Sequence, residues 1–315
     1  MVTPRQTQRS GITAASAAVE ALAMRPDQRF EYSAIVDRPK LKLPGGKRLI
    51  VWPVVNVEEW EITRPMPRGL SRSPGGVTVG PDIQNWGWHE YGMRVGIWRI
   101  MEVLRKHRIA PTLSINAKVC ETRPRIAQAA LDAGWEFMAH TYVQMPIHMV
   151  EDQCAMICQT IDVLKKFTGR APTGWLGPGR GQTYATLDYI AQAGIKWFGD
   201  WVMDDQPFWA KTNHGAILSV PYSVELNDIS IMLIQQQDSD AMFKRARDAF
   251  DQIYRESAHG ARVLTIAVHP YITGAAHRIK YFDAMLAYMR KHKDIVFWQG
   301  ERIYDWFSGI VKKEQ

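Results

Sequence analysis

The sequence predicts an α/β fold in which a mostly parallel sheet closes, or nearly closes, into a barrel with helices on its outside. Two observations lead to this prediction. Segments typical of strands alternate repeatedly with segments typical of helices, and short connections join them. In addition, the 315 residues, of which 46% are hydrophobic, are enough for one large core. The number of elements and the chain length fit one barrel better than two separate domains.

The first predicted strand, Leu49–Val57, is a continuous apolar run rich in β-branched residues, which is typical of a strand buried on both faces. The first predicted helix, Arg94–His107, carries apolar side chains at helical spacing. The later elements show the same two patterns, and glycines follow several of the helices. Further strands are expected at Ala110–Ile115, Trp135–Ala139, Gly174–Leu176, Lys196–Gly199, Ile217–Val220, Ile231–Ile234, Val263–Val268 and Ile295–Trp298, and further helices at Glu121–Ala133, Pro146–Thr168, Thr183–Ala193, Asp238–Ser257 and Tyr281–His292.

Residues 1–46 are predicted to form an N-terminal arm, and residues 47–315 the barrel. The arm is polar and rich in proline, and it lacks sustained periodicity apart from one short Ala-rich helix. Arms of this kind often pack on a neighbouring subunit, and the aromatic-rich loops add surface that favours cover. A homo-oligomer is therefore expected.

The formal net charge of +7 raises the question of a nucleic-acid partner. The excess of Lys and Arg is concentrated near the ends of the chain and forms no basic stripe interleaved with aromatic residues, so we expect no such partner. No apolar run approaches the roughly 20 residues that a membrane span requires. Three cysteines without a metal-binding spacing suit a reducing compartment, and the N-terminus makes a poor secretion signal. We therefore expect a cytoplasmic protein that acts on a small molecule.

Polar side chains directly follow several of the predicted strands. Active sites of α/β barrels lie at the carboxyl ends of the strands, so side chains at these positions are expected to face one shared cavity. Taken singly, each has an ordinary explanation, such as a solvated strand end, a core histidine or a loop charge. Their common location predicts a catalytic set made of Glu58, Glu59, His140, Arg180, Asp200 and His269.

The order of these segments resembles the polysaccharide deacetylase family over about residues 48–307. The family's Thr-Phe-Asp-Asp-Gly motif corresponds to Asn56-Val57-Glu58-Glu59-Trp60, in which the two acidic positions would be the base and a metal ligand. Its His-Ser/Thr-x-x-His motif, which supplies two more metal ligands, corresponds to His140-Thr141-Tyr142-Val143-Gln144, and its general-acid histidine corresponds to His269. The resemblance implies a distorted (β/α)7 barrel.

The departures from these motifs resemble the allantoinase-like branch of that family. Both acidic positions hold Glu instead of Asp, Gln144 replaces the second metal histidine, and Leu176 stands where the family has an arginine that Arg180 could replace. The segments 90–96, 174–175 and 204–209 are also similar to that branch, although its members usually carry an aromatic residue at the position of Gln144. The branch implies a cyclic ureide as substrate and catalysis without the family's usual metal.

A metal cofactor is not favoured, and a divalent ion such as zinc is the alternative. A catalytic zinc usually has three protein ligands. Glu59 and His140 could supply two, whereas glutamine is a weak neutral ligand. His89 and His269 could substitute only if the loops bring them close to the ion.

The predicted reaction is hydrolysis of a non-peptide C–N bond in a small amide or in a cyclic ureide or imide. Glu58 is the expected general base, with a pKa raised towards neutrality by desolvation or by its neighbour Glu59. His269 would protonate the leaving nitrogen, and Asp200 would orient a histidine. The oxyanion would be stabilised by Arg180, Arg94 or a protonated His140.

A wider set of side chains is expected to bind the substrate, with aromatic rings forming walls around a flat molecule. The predicted binding residues are His89, Arg94, Gln144, Trp175, Asp204, Asp205 and Trp209. Two other functions stay open. One is a metal-dependent N-deacetylase of an acetylated sugar or amine, and the other is a barrel that binds a small molecule without catalysis.

Overall fold

The computed structural model describes residues 23–67, 70 and 80–313, and within them nine strands form one curled sheet with helices packed around it. The strands are β1 (Leu49–Val57), β2 (Thr112–Ile115), β3 (Glu136–Ala139), β4 (Gly174–Trp175), β5 (Trp197–Phe198), β6 (Phe208–Ala210), β7 (Ile217–Ser219), β8 (Arg262–Val268) and β9 (Ile295–Phe297). The α-helices are α1 (Ile83–Tyr91), α2 (Ile97–Lys106), α3 (Val119–Thr122), α4 (Pro124–Asp132), α5 (Gln153–Thr168), α6 (Thr186–Gln192), α7 (Ala241–Glu256), α8 (Ile279–Met289) and α9 (Gly300–Ile310).

The strand order is β6-β7-β5-β4-β3-β2-β1-β8, and β9 also pairs with β1. Strand β1 pairs with β8 along Leu49–Val55, while its other edge pairs with β9 at Leu49–Val51 and with β2 at Val54–Val57. Every pairing is parallel except that of β6 with β7. The sheet therefore curls into a half-barrel, which confirms the predicted α/β fold class. The carboxyl ends of its parallel strands all meet at one rim.

Strand β1 is buried along its whole length, as its apolar sequence predicts. Alternate side chains of a strand point to opposite faces, and here the two faces enter different cores. Leu49, Val51, Val55 and Val57 pack in the core between the sheet and the helices. Ile50, Trp52 and Val54 pack in a second core, inside the curl of the sheet. Even-numbered positions of β1 thus face inwards.

The prediction of a strand at Ile231–Ile234 is wrong, because Ile229–Ile234 forms a π-helical turn. A short apolar run does not by its periodicity separate a strand from a buried helical turn. Strand β6 and helices α1 and α9 were not predicted from the sequence. The predicted helix Arg94–His107 begins earlier, since the π-helical turn Gly92–Gly96 joins α1 to α2. A Cβ atom on Gly96 would lie only 2.0 Å from the Pro270 carbonyl oxygen, so glycine lets this turn approach the segment after β8.

The described part of the arm packs on the barrel of its own chain. The buried guanidinium of Arg29 donates to the Asp188 carboxylate at 2.7 Å and to the backbone carbonyls of Tyr184 and Lys211. The Phe30 ring packs beside the Trp201 ring, with centroids 5.6 Å apart. Most of the predicted Ala-rich helix lies outside the described residues, and the boundary at residue 46 stays a prediction. None of the described helices has the length and apolar character needed to cross a membrane.

Candidate active site

A cavity of about 450 Å³ opens at the rim where the parallel strands end. Five of the predicted site residues line it, namely Glu58, His140, Gln144, Arg180 and His269. The cavity wall also includes Trp60 and Tyr222, and the exposed apolar residues Met149 and Ile234 contribute to it. The structure therefore brings together residues that are far apart in the sequence, at the place where barrels carry their active sites.

Strand alternation explains which polar residues reach the cavity. Glu58 continues the inward-facing positions of β1, whereas Glu59 continues the positions that face the helices. Glu59 accepts a hydrogen bond from the Thr122 hydroxyl at 3.0 Å and lies 3.6 Å from an Arg123 guanidinium nitrogen. The structure thus places Glu59 behind the sheet, outside the cavity, where it can serve neither as catalytic residue nor as metal ligand for the cavity. By the same alternation, Trp175 is fully buried in the core under the helices.

The Glu58 carboxylate is held by neighbours on both of its oxygens. Gln144 donates its side-chain N–H to Glu58 Oε1 at 2.9 Å, and the Trp60 indole donates to Oε2 at 3.0 Å. His269 Nε2 lies 3.5 Å and His140 Nε2 3.9 Å from the same Oε1 atom. Glu58 is therefore the centre of the polar end of the cavity.

His269 is oriented by Asp228, a residue that the sequence analysis missed. Nδ1 of the His269 ring lies 2.6 Å from Asp228 Oδ1. The backbone N–H of His269 donates to Asp228 Oδ2 at 2.7 Å. The Thr273 hydroxyl donates to the same Oδ2 at 2.6 Å. Asp228 is completely buried, so its charge acts on His269 with little screening by solvent. These contacts fix the ring with Nδ1–H towards Asp228 and Nε2 towards Glu58.

The two catalytic candidates hold opposite charges at neutral pH. Burial raises the pKa of Glu58, but the contact with His269 and its positive charge outweigh burial and lower the pKa to about 2. Burial lowers the pKa of His269, but the Asp228 charge and then Glu58 raise it to about 9. The shift of Glu58 is opposite to the expected one, because its close neighbours are histidines and the second carboxylate, Glu59, points away.

His140 turns a proton-accepting nitrogen towards Glu58. Its Nδ1–H donates to the Leu176 carbonyl, which leaves the lone pair of the neutral ring on Nε2. Burial lowers the pKa of His140 below its usual value, so the neutral form is favoured near pH 7. No hydrogen-bond partner for Nε2 exists among the described residues.

Arg180 reaches the cavity from a tight turn that Asp200 holds in place. Arg180 has a positive φ of 59°, and its N–H donates to the Gly177 carbonyl at 2.7 Å. The Asp200 carboxylate accepts from the Gly177 N–H at 2.6 Å and from the Gln182 amide at 2.7 Å. Burial raises the pKa of Asp200 to about 7, although these donors and the Arg180 charge oppose the effect. Asp200 thus supports the turn, and the role predicted for it, orienting a histidine, is filled by Asp228.

Four further predicted binding residues lie away from the cavity. Arg94 is exposed on the π-helical turn. Asp204 pairs with Arg38 of the arm at 2.7 Å, and both Asp204 and Asp205 line a separate groove between the arm and β8. Trp209 lies on β6, where its indole donates to the Val311 carbonyl at 3.1 Å. Asp204 and Asp205 were predicted from their position after a strand, but the loop after β5 turns back towards the arm. Arg94 was predicted as a donor for the oxyanion and Trp209 as part of an aromatic wall, and neither reaches the cavity.

His89 lies directly behind the cavity wall. Its ring is buried against Trp60, with centroids 5.1 Å apart, and Nδ1 lies 2.8 Å from the Asn85 carbonyl oxygen. The Trp86 indole donates to the Trp60 carbonyl at 3.2 Å. Helix α1 therefore supports Trp60, and through it the Glu58 carboxylate. Trp60 carried a signal in the sequence, since it follows the acidic pair directly, whereas Asp228 had none beyond its place beside an apolar run.

The described residues do not fit a catalytic zinc with three protein ligands. No group of three His, Cys, Asp or Glu side chains among them is arranged to hold a metal ion. Gln144 turns its NH2 group to Glu58, and Glu59 lies outside the cavity. Among the residues that match the family's metal motif, only His140 turns a strong neutral ligand atom, Nε2, towards Glu58.

Comparisons with known proteins agree with the geometry. The family model described as polysaccharide deacetylase matches residues 89–198. The chain is 28% identical over 229 residues to a Schizosaccharomyces pombe protein named "Putative polysaccharide deacetylase", which covers 65% of this chain and 70% of the relative. It is 22% identical over 235 residues to a Helicobacter pylori protein named "Peptidoglycan deacetylase", which covers 64% of this chain and 80% of the relative.

A crystal structure of Puue allantoinase has the same fold, with a TM-score of 0.80 and 24% identity, covering 90% of this chain and all (100%) of that one. The predicted barrel type is therefore confirmed. Residues 89–198 resemble the polysaccharide deacetylase family, whose members hydrolyse carbon–nitrogen bonds other than peptide bonds.

Proposed function

We propose that this enzyme hydrolyses a C–N bond in a small amide or a cyclic ureide or imide, as in the allantoinase-like branch. The observation that carries the proposal is the row Asp228, His269 and Glu58, of which the last two line a small cavity, beside Gln144 instead of a metal histidine. A cavity of about 450 Å³ suits a small substrate.

Glu58 acts as the general base on the attacking water. Its carboxylate is ionised throughout the neutral range, and His140 Nε2 offers a second proton acceptor 3.9 Å away. The second acceptor matters, because a carboxylate of low pKa is by itself a weak base.

His269 acts as the general acid. Its raised pKa keeps Nε2 protonated at neutral pH, and Asp228 on the other nitrogen holds the ring in place. As the C–N bond breaks, the His269 Nε2 proton passes to the leaving nitrogen. The proton taken from water remains on the Glu58 carboxylate. Arg180 and the charge of His269 stabilise the oxyanion. Arg94 is too remote to contribute, and His140 is neutral.

The test replaces Glu58 with Gln, which keeps the shape but removes the base. We expect kcat to fall about a hundredfold or more on the best substrate of a panel of hydantoins, ureides and small amides. The exposed Glu31→Gln on the arm is the matched control and should leave kcat unchanged. Retention of wild-type kcat by Glu58→Gln in folded protein would eliminate the assignment.

The first alternative is a metal-dependent N-deacetylase, and both curated relatives are named as deacetylases. Assay of N-acetylated sugars and amines, with and without chelator, separates the two functions. Chelator-sensitive release of acetate with stoichiometric metal would support the deacetylase. Absence of turnover on every substrate, together with binding of one of them, would support the second alternative, a barrel that binds without catalysis.

We also propose that the enzyme is a cytoplasmic homo-oligomer. Its cysteines, Cys120, Cys154 and Cys158, are free thiols in the structure, as suits a reducing compartment. On the arm, the residues Tyr32 and Val36 are 91% and 85% exposed, which favours cover by another subunit. Light scattering of purified protein and fractionation of cells test the two parts of this proposal.

A further inference from the structure

The catalytic groups lie at a buried end of the cavity, and large apolar residues line its exposed side. Glu58 and His269, which carry the proposed chemistry, are 8% and 3% exposed, whereas Met149 and Ile234 of the same cavity are 66% and 64% exposed. A substrate that fills the cavity from Glu58 outwards therefore meets apolar side chains with the part that does not react.

Met149 and Ile234 come from opposite sides of the central strand. Met149 ends the short helical turn Ile147–Met149, which follows β3. Ile234 ends the π-helical turn Ile229–Ile234, and Asn227, just before this turn, bridges β8. In the sheet, β3 lies on one side of β1 and β8 on the other. The cavity thus receives an exposed apolar residue from each side of β1.

Each turn is anchored in the core and leaves one large apolar residue exposed. Ile147 is fully buried in the first turn, and Ile231 is fully buried in the second. A single exposed apolar residue is ordinary on a protein surface. Two of them on one catalytic cavity, each on an anchored turn, form an apolar contact area that exists before a ligand binds.

The charged residues of the cavity wall already have partners or a role. Arg64 Nε lies 2.7 Å from Glu61 Oε2, and Lys118 Nζ lies 3.1 Å from the other carboxylate oxygen of Glu61. Glu61 and Arg64 therefore balance each other without a charged substrate group. Arg180 stabilises the oxyanion in the proposed reaction. An apolar substituent on the substrate fits this wall better than a charged one.

We infer that the substrate carries a hydrocarbon group, alkyl or aryl, on the part that does not react, and that Met149 and Ile234 are specificity determinants that contact this group. The inference rests on the proposed function and narrows its substrate class to amides or cyclic ureides with an apolar substituent. Because both residues line the catalytic cavity, the substrate is the molecule that covers them. Covering them removes apolar surface from water, which is favourable in proportion to the area.

The size of the cavity agrees with such a substituent. A volume of about 450 Å³ lies within the range of pockets that enclose drug-sized ligands, and it leaves room beyond a bare ureide ring. Methionine has a flexible side chain that adapts to apolar groups of different shape. The preference is therefore for hydrocarbon character more than for one particular shape.

The experiment takes the best amide or ureide of the substrate panel and places a methyl, a butyl or a methoxyethyl group at the same carbon. Butyl and methoxyethyl have the same length, but an ether oxygen replaces one methylene. For the wild type, each added methylene should raise kcat/KM about twofold to fourfold, so butyl should exceed methyl about tenfold to sixtyfold. Methoxyethyl should fall well below butyl, because its oxygen finds an apolar wall.

The double variant with Met149→Gln and Ile234→Thr replaces both side chains by polar ones of similar shape. Both positions are exposed, so we expect the variant to fold. Its preference for butyl over methyl should fall to within a few-fold. The matched control carries Met203→Gln and Ile310→Thr, the same changes at exposed positions outside the cavity, and it should keep the wild-type ratio.

The ratio of two substrates cancels any general loss of activity in a variant. Equal kcat/KM for the methyl and butyl substrates in the wild type would overturn the inference while the proposed function stands. An unchanged ratio in the double variant would overturn it as well. If no amide or ureide is turned over, the proposed function fails and the inference falls with it. The wild-type series gives an answer even if the double variant does not fold.

Discussion

Replacing Asp228 with Asn removes the buried charge that orients and charges His269. Asn keeps the size of the side chain and one oxygen that can accept from the His269 backbone or from the Thr273 hydroxyl. The negative charge 2.6 Å from His269 Nδ1 is lost. Burial lowers the pKa of this histidine, and after the substitution only Glu58 opposes that effect.

The size of the effect follows from the pKa of His269. At about 9 in the wild type, the ring is mostly protonated at pH 8. If the pKa returns to its ordinary value of 6.5, only about one ring in thirty is protonated at pH 8, so kcat/KM should fall about thirtyfold there. At pH 6 most rings are protonated in both proteins. The loss should therefore be much smaller at pH 6.

The assay is a pH profile of kcat/KM, together with titration of the His269 ring by NMR. The alkaline limb, expected near pH 9 for the wild type, should move towards pH 6.5 in Asp228→Asn. Thr273→Val is the matched control, since it removes one hydrogen bond to Asp228 and leaves the charge. Its alkaline limb should stay close to that of the wild type.

The reasoning is refuted if folded Asp228→Asn keeps the alkaline limb and the His269 titration of the wild type. An equal loss of kcat/KM at pH 6 and pH 8 would also refute it. In that case Asp228 would only position the ring.

Two further predictions concern Glu58 and His269. Trp60→Phe keeps a ring against His89 but removes the N–H that positions Glu58 Oε2, so kcat should fall about tenfold with KM little changed. Trp88→Phe serves as control, and equal kinetics for both variants would contradict the role of the indole N–H. Because the pKa of His269 is raised on folding, its ion pairs stabilise the protein fully below pH 6.5, and this stabilisation is lost as pH rises through about 9. Urea unfolding should thus show a stability difference between wild type and His269→Asn that shrinks from pH 6 to pH 10, and a difference that grows over this range would contradict the sign.

Several features of the site were predictable from local patterns. The strands before Glu58, His140 and His269 are apolar runs that end in a polar side chain, and parallel strands bring such ends to one rim. Strand alternation, taken one step further, would also have separated Glu58 from Glu59 and placed Trp175 outside the cavity. The prediction for Asp204 and Asp205 is wrong for a different reason. The path of a loop after its strand depends on what it packs against, here the arm.

The sequence by itself determined the α/β class, the central strand, the family resemblance and five of the residues that line the cavity, because hydrophobic periodicity and strand order are local properties. Only the tertiary structure decided the partner of His269 and the charge of Glu58. Asp228 precedes an apolar segment that was predicted to be a strand. Nothing in the local sequence links Asp228 to His269, which follows β8. The pKa of Glu58 was expected to rise and is instead lowered to about 2, since electrostatic energy depends on distance and burial, and folding places His269 within 3.5 Å of it while turning Glu59 away.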